Sequence, residues 1–561
     1  MAKRRTTTDP PAVQTPQATV IAARPTRSWP FNILALVAVL LCIGVGYLSR
    51  LALNPDGVSY LDLATAIQRG DWLHFVQGYW SPLFPLLTGL IGVATGASGS
   101  ELVPVTHAIN AIAAVAGVFV LWRWGRAAAP ARPGFGQFAI AAFLLCSAGL
   151  PRVEAVTPDI LSLLVAIWLS RELLTRGGWR WLLTGVLFGV AFLVKTSAWP
   201  WLLVGVPLRL WGAPDALARR RVWWSTATCA LVMLGWIVPM SVKAGRPTLG
   251  SSGRLNYSWY IDANSSRLPD GDNGVNTAYR DVPVGNGQHI TVATFDDAAR
   301  WTYQPWGDPT AWSEKVVSDV GRAPTTAELL GYWLRMFGRV FGLWLLPMML
   351  TAMVPAYLLH HRPGIWRDLM TTQRDALVVA VLGLAGLFQF VAIHAEPRLI
   401  APYGIMLALG TIWWCTAAPP DPAPSRSFSR GPTALRHLLG WVGIATALAF
   451  AVPKFIDGVA STARLLETTS RLDALRQRLT FAESGTPQIA VVGPAAPVLS
   501  AAYWTGVHVA MQIPPRSAEL LNSLPTDQQA AVLASLFSGR VQVIWKTSAD
   551  GGVQMLMVPK P

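Results

Sequence analysis

Eleven stretches of this chain stay apolar for about the length of a membrane crossing, and nothing else limits its fold as strongly. A spanning helix needs ~20 apolar residues, because the hydrocarbon core is ~30 Å thick and a helix rises ~1.5 Å per residue. Runs of this kind occupy 31–50, 104–122, 136–152, 158–174, 180–196, 197–212, 222–241, 331–357, 376–394, 399–416 and 436–453. In lipid every backbone polar group must be paired within the protein, so such runs are expected to be α-helices. Composition agrees. Of 561 residues, 52% are hydrophobic and 13% charged, whereas soluble domains carry about 25% charged residues. A disordered chain, a small disulfide scaffold and an ordinary cytosolic enzyme are thereby excluded. Cys42, Cys146, Cys229 and Cys415 lie in or beside the apolar runs without a CxxC spacing, which argues against a disulfide framework or a thiolate metal site.

The formal charge is +15, and its distribution follows the membrane. Lys and Arg concentrate in the N-terminal tail (1–30) and in alternate loops: Arg123, Arg126 and Arg132; Arg171, Arg176 and Arg180; Arg219, Arg220 and Arg221; Arg362, Arg367 and Arg374; Arg426, Arg430 and Arg436. By the positive-inside rule these face the cytoplasm. The charge excess then belongs to topology rather than to a nucleic-acid-binding face. The tail 1–30 reads as a disordered basic cytoplasmic segment, and 31–453 as a transmembrane domain. Two long outer segments follow, 51–103 and 242–330. Residues 81–98 would break the alternation if they crossed. Pro82, Pro85 and several glycines shorten them, so they read as an outer interfacial helix. After 454 the pattern changes: PQIAVVG and RVQVIWK read as short buried strands, SAELLNSL and DQQAAVLASLF as helices. The reading is a small extracytoplasmic α/β domain over 454–561. The fold class expected is all-α polytopic membrane protein, with about 11 transmembrane helices, outer juxtamembrane helices and this C-terminal domain.

Ionisable residues beside a membrane are expensive and point to function. The first outer segment reads NPDGVSYLDLATAIQRGDW, with Asp56, Tyr60 and Asp62. Asp56 and Tyr60 stand one helical turn apart on one face. The competing reading of Asp56 is a helix cap, because NPDG is turn chemistry. Glu154 and Asp159 sit in PRVEAVTPDIL at another outer helix start, where the helix dipole favours a carboxylate. Lys195 in LVKTSAW and the segment EPRLIAPY, with Glu396, Arg398 and Tyr403, add cations at the same face. Snorkelling of Lys195 and a local Glu396–Arg398 pair are the plainer readings. Together these residues suit a phosphate-bearing lipid, since Arg clamps phosphate and a carboxylate can deprotonate an acceptor hydroxyl.

The run DGVSYLDLATAIQRGDW followed by GYWSPLFPLLTGLIG resembles the first outer loop of GT-C-type membrane glycosyltransferases, in particular the protein O-mannosyltransferase and lipid A aminoarabinose transferase group. The matching positions are Asp56, Tyr60, Gly70–Asp71–Trp72 and Tyr79–Trp80–Ser81–Pro82. TPDILSLL, Lys195 and EPRLIAPY match later landmarks, and the resemblance covers roughly 31–410. It implies a polyprenyl-phosphate-linked sugar donor, inverting transfer at the outer membrane face, Asp56 as general base, and Lys195 and Arg398 on the donor phosphate. Tyr60, Asp62, Glu154, Asp159, Glu396 and Tyr403 would line the substrate or metal cavity. A divalent cation, Mg²⁺ or Mn²⁺, held by Asp56, Glu154 or Asp159 is a further candidate. Many relatives carry two adjacent acids where this chain has Asp56–Gly57, which weakens the case for a metal. The acceptor is a glycan, lipid or protein. Two readings from other classes compete: a transporter or flippase of lipid-linked sugars, and a non-enzymatic cell-envelope assembly protein. Transporters commonly show internal repeats with broken helices, and no such symmetry is visible.

Overall fold

A computed structural model describes residues 29–132, 134–149, 155–175, 180–260, 277–285, 287–295, 300–309, 325–342, 373–416, 488–492, 496–513, 515–537, 543–547 and 553–557. The span expected at 436–453, residues 343–357 of the span expected at 331–357, residue Glu154 and residues 1–28 of the tail lie outside them. The helical part begins with α1 (Trp29–Leu48), α2 (Pro55–Gln68), α3 (Trp72–Phe75), α4 (Leu83–Thr95) and α5 (Leu102–Ala128). It continues with α6 (Phe135–Gly149), α7 (Asp159–Leu174), α8 (Arg180–Val194), α9 (Pro200–Gly212) and α10 (Ala216–Lys243). After the short α11 (Ser252–Tyr260) and α12 (Gln304–Gly307) come α13 (Thr326–Val340), α14 (Arg374–Ala392) and α15 (Pro397–Cys415). Among the described residues, five helices are long and apolar enough to cross a membrane: Pro30–Leu48, Gly99–Ala128, Ala216–Lys243, Arg374–Ala392 and Pro397–Cys415. The start of α4, with Pro82 and Pro85, limits it to 13 residues, or ~20 Å at ~1.5 Å per residue. It packs against α2, where a Cβ on Gly89 would meet the Ala64 carbonyl at 2.8 Å.

Glycines set how closely the long helices approach. Between α14 and α15, a Cβ added to Gly383 would lie 2.5 Å from the Leu407 nitrogen, and one added to Gly386 would overlap the Tyr403 ring. In lipid, where apolar side chains gain little from leaving solvent, this close contact is a main source of helix association.

The strands form one six-stranded sheet, and it is not confined to the C-terminal segment. β1 (Thr277–Gly285) and β2 (Gln288–Phe295) come from the long outer loop. β3 (Gln488–Val492), β4 (His508–Ile513), β5 (Val543–Thr547) and β6 (Val553–Met557) come from the end of the chain. The order is β1-β2-β4-β3-β5-β6, with β4, β3 and β5 parallel and the flanking pairs antiparallel. Parallel neighbours need crossover connections, supplied by α16 (Ala496–Thr505) between β3 and β4, and by α17 (Pro515–Ser523) with α18 (Thr526–Phe537) between β4 and β5. β2 joins because Ala293 and Thr294 pair with Gln512 and Met511, an edge that local sequence reading could not assign to a strand so distant in the chain.

The sheet is tied to the head of the bundle. Ser500 Oγ on α16 donates to the Leu53 carbonyl (2.7 Å), and the Tyr503 hydroxyl donates to the Gly99 carbonyl (2.8 Å). The backbone of Val509 in β4 donates to the Thr302 carbonyl (2.9 Å).

Replacing Gly386 by Ala forces Tyr403 out of its place between α14 and α15. Overpacking of this kind costs about 1–3 kcal/mol. Thermal unfolding in detergent is expected to show a clear loss for Gly386→Ala and little change for Gly235→Ala, where the added methyl meets nothing within 4 Å.

Candidate active site

The residues that carry charge at the head of the bundle come together from four places in the chain. The first is the start of α2. Asn54 is its N-cap in extended conformation, Pro55 occupies the first turn with φ already set for a helix, and Asp56 follows it. Pro and an acid are both favoured there, the first because its missing N–H costs nothing, the second because of the helix dipole. Asp56 is not the cap. Its carboxylate is only 19% exposed and accepts an ion pair from Arg398 Nη2 at 2.7 Å. Arg398 stands in the first turn of α15, and its Nε donates to Glu396 Oε2 at 2.8 Å. The local Glu396–Arg398 pair is therefore present, and the guanidinium also reaches across to Asp56.

The second carboxylate is Asp159, the first residue of α7. It is 1% exposed. Thr157 Oγ donates to its Oδ2 at 2.7 Å, and the Lys195 ammonium pairs with its Oδ1. Lys195 does not simply snorkel; it neutralises a buried acid. It ends α8 and begins a 3-10 turn, Thr196–Ala198. Tyr403 holds that turn, donating to the Ser197 carbonyl at 2.8 Å, while Gln389 donates to the same oxygen at 3.0 Å. Beneath Lys195 lies a small cavity lined by Ser162, Ala191, Ala198, Trp201, Pro402 and Tyr403. Tyr60, one turn along α2 from Asp56, is buried against Trp80 and Phe84 with ring centroids 4.9 and 5.5 Å away. It lies within the electrostatic reach of Asp56, Asp159 and Arg398.

Asp62 is not in this cluster. It points from α2 toward the long outer loop, where it accepts from the Thr302 backbone N–H (3.0 Å) and hydroxyl (2.8 Å). Burial pushes its carboxyl up to about 7, against the lowering effect of those two bonds. Its place is an anchor for the outer loop, whose neighbouring residues also bind this helix: Ser59 Oγ and the Trp80 indole both donate to the Trp306 carbonyl, at 3.0 and 3.1 Å. No local pattern points to Thr157, Ser197, Thr302 or Gln389, because a single Ser, Thr or Gln has many ordinary uses. Among the described residues, no three His, Cys, Asp or Glu side chains gather as metal ligands would.

Glu396 also accepts from His394 Nε2 at 3.2 Å. That hydrogen bond, opposed by burial and helped by Arg398, holds its carboxyl down at about 2 from an ordinary 4.5. A depressed carboxylate stabilises the fold above its unfolded value and loses that contribution as pH falls through the folded one. Native protein is therefore expected to exceed Glu396→Gln in thermal stability near neutral pH, and the gap is expected to close between pH 4.5 and about 2. Melting curves across that interval check this; a pH-independent gap would contradict it.

No protein-family model matches the chain, and no curated protein sequence matches it. Solved structures do. A crystal structure of ArnT from Cupriavidus metallidurans bound to undecaprenyl phosphate aligns with a TM-score of 0.51 and 11% identity, covering 95% of this chain and 97% of that one. The apo crystal structure of ArnT from the same organism aligns with a TM-score of 0.50 and 12% identity, covering 94% of each chain. The chain thus shares the fold of ArnT over almost its whole length.

Proposed function

We propose that this protein is a membrane glycosyltransferase that moves a sugar from a polyprenyl-phosphate-linked donor to an acceptor hydroxyl at the outer membrane face, with inversion. The observation that carries the reading is the Asp56–Arg398 pair, an acid and a guanidinium of the kind that clamps phosphate, held at 2.7 Å in an ArnT-like fold. In the mechanism the donor phosphate settles beside Lys195 and draws Arg398 toward itself. Arg398 then leaves Asp56, whose freed carboxylate accepts the proton of the acceptor hydroxyl. The acceptor oxygen bonds to the anomeric carbon as the bond from that carbon to phosphate oxygen breaks. The electron pair stays on the phosphate, where Lys195 and Arg398 stabilise the growing charge. Asp159 keeps Lys195 in place, and Tyr403 keeps the turn that bears it.

A divalent ion would share the carboxylates of Asp56 and Asp159, with Glu154 as a further oxygen donor. Those carboxylates already have basic partners in Arg398 and Lys195, so the leaving phosphate is read as neutralised by the two side chains. The orientation follows the positive-inside reading: N-terminus cytoplasmic, α2 and the sheet outside, in the cell membrane. The acceptor is a glycan, a lipid or a protein.

Purified protein incubated with labelled mannosyl- and aminoarabinosyl-undecaprenyl phosphate is expected to release undecaprenyl phosphate by transfer or hydrolysis. Removing a general base costs ~10²–10⁴ in rate, and Asp56→Asn is expected to lose that much. Undiminished turnover by Asp56→Asn would reject Asp56 as the base. Donor binding with no turnover under any acceptor condition, together with movement of the donor across vesicles, would favour the flippase reading.

A further inference from the structure

The two acid-bearing turns that precede α2 and α7 are bound to each other and to one spanning helix. The side chain of Asn54 makes no capping bond to its own helix. Its Oδ1 accepts instead from the backbone N–H of Val156, at 3.0 Å. On α5, His107 is 1% exposed and Asn110 fully buried. His107 Nε2 lies 2.8 Å from the Ala52 carbonyl, just before Asp56. Asn110 Nδ2 donates to the carbonyls of Ala155 (3.0 Å) and Thr157 (3.3 Å), just before Asp159. Both partners of Asn110 are acceptors, which fixes its amide with the NH₂ toward the turn. The His107 nitrogen facing a carbonyl must likewise carry the proton. Thr157, held by its carbonyl, in turn donates its hydroxyl to Asp159.

Gly57 lets the two turns close. A Cβ there would lie 2.7 Å from Val156 Cβ and 2.9 Å from Asn54 Oδ1. Any side chain at 57 would wedge the turns apart. A residue buried in a spanning helix and spending its hydrogen bonds on loop carbonyls is costly unless the loops must be held.

We propose that Asn54, Gly57, His107 and Asn110 form a clamp that fixes the Asp56 carboxylate relative to Asp159, making Asn110 and Gly57 positioning residues for the transfer. The inference rests on Asp56 acting as the base. The clamp works through geometry alone: none of the four residues needs to touch donor or acceptor. A reacting group displaced by 1 Å can cost ~10² in rate.

Asn110→Leu removes both bonds with a side chain suited to a spanning helix, and Gly57→Ala inserts the wedge by an independent route. Each is expected to lower kcat for labelled undecaprenyl-phosphate sugar by ~10–100-fold, with the donor KM within a few-fold of native and the melting temperature retained in at least one of them. The deciding experiment places Asn110→Leu in the Asp56→Asn background. If Asn110 acts by placing Asp56, the double variant turns over as fast as Asp56→Asn alone. Native kcat in both single variants would overturn the clamp. So would an equal fractional loss from Asn110→Leu in the presence and absence of Asp56, because that marks a general structural effect. A native rate for Asp56→Asn itself would instead reject the assignment of Asp56, and is distinguishable because it needs no clamp variant.

Discussion

The ion pair between Asp56 and Arg398 is the contact on which the site is organised. It joins the first turn of α2 to the first turn of α15, segments more than three hundred residues apart in the chain. A half-buried acid and cation stabilise little as a mere bridge, because each gives up hydration to meet the other. Their value lies in availability. Arg398 carries two carboxylates, Asp56 and Glu396, and a guanidinium presents more donors than these use. A tetrahedral phosphate can replace one of them without leaving the cation unpaired. The Lys195–Asp159 pair beside it has the same form, a cation balanced by a buried acid at a helix start.

The rest of the molecule keeps these groups in register. Behind α2, the outer loop is anchored through Asp62, and the sheet is anchored through Thr302, Leu53 and Gly99. The helix that bears Asp56 is thus gripped from its far side by residues from two separate parts of the chain. Below, Tyr403 and Gln389 fix the turn at Ser197, and the glycine contacts of α14 and α15 fix Tyr403. Sites built on rigid elements with supported side chains hold geometry better than sites on free loops.

Much of this was legible in the sequence where the governing interaction is local. The helix at 55 follows from Pro55 and Asp56 at its first turn, the one at 159 from Pro158–Asp159, and five of the eleven expected spans from their length and apolarity. Asp56, Asp159, Lys195 and Arg398 were legible as charges that a membrane protein does not carry at helix ends without use. What they pair with was not. The resemblance puts Asp62 among the cavity residues, yet its partner Thr302 lies 240 residues away, and no local pattern encodes that distance. The strands of the outer loop were hidden for the same reason, since β2 is completed by β4 from the end of the chain. Nothing local marks Asn110 and His107 within an otherwise apolar helix.

In the proposed mechanism donor phosphate and Asp56 compete for Arg398, and equilibrium binding tests this without relying on turnover. Undecaprenyl phosphate affinity is to be measured for native protein, Arg398→Gln and Asp56→Asn under one detergent and salt condition. Weaker binding is expected for Arg398→Gln and tighter binding for Asp56→Asn, which frees the guanidinium for phosphate. Native affinity in Arg398→Gln, or weakened binding in Asp56→Asn, would contradict it.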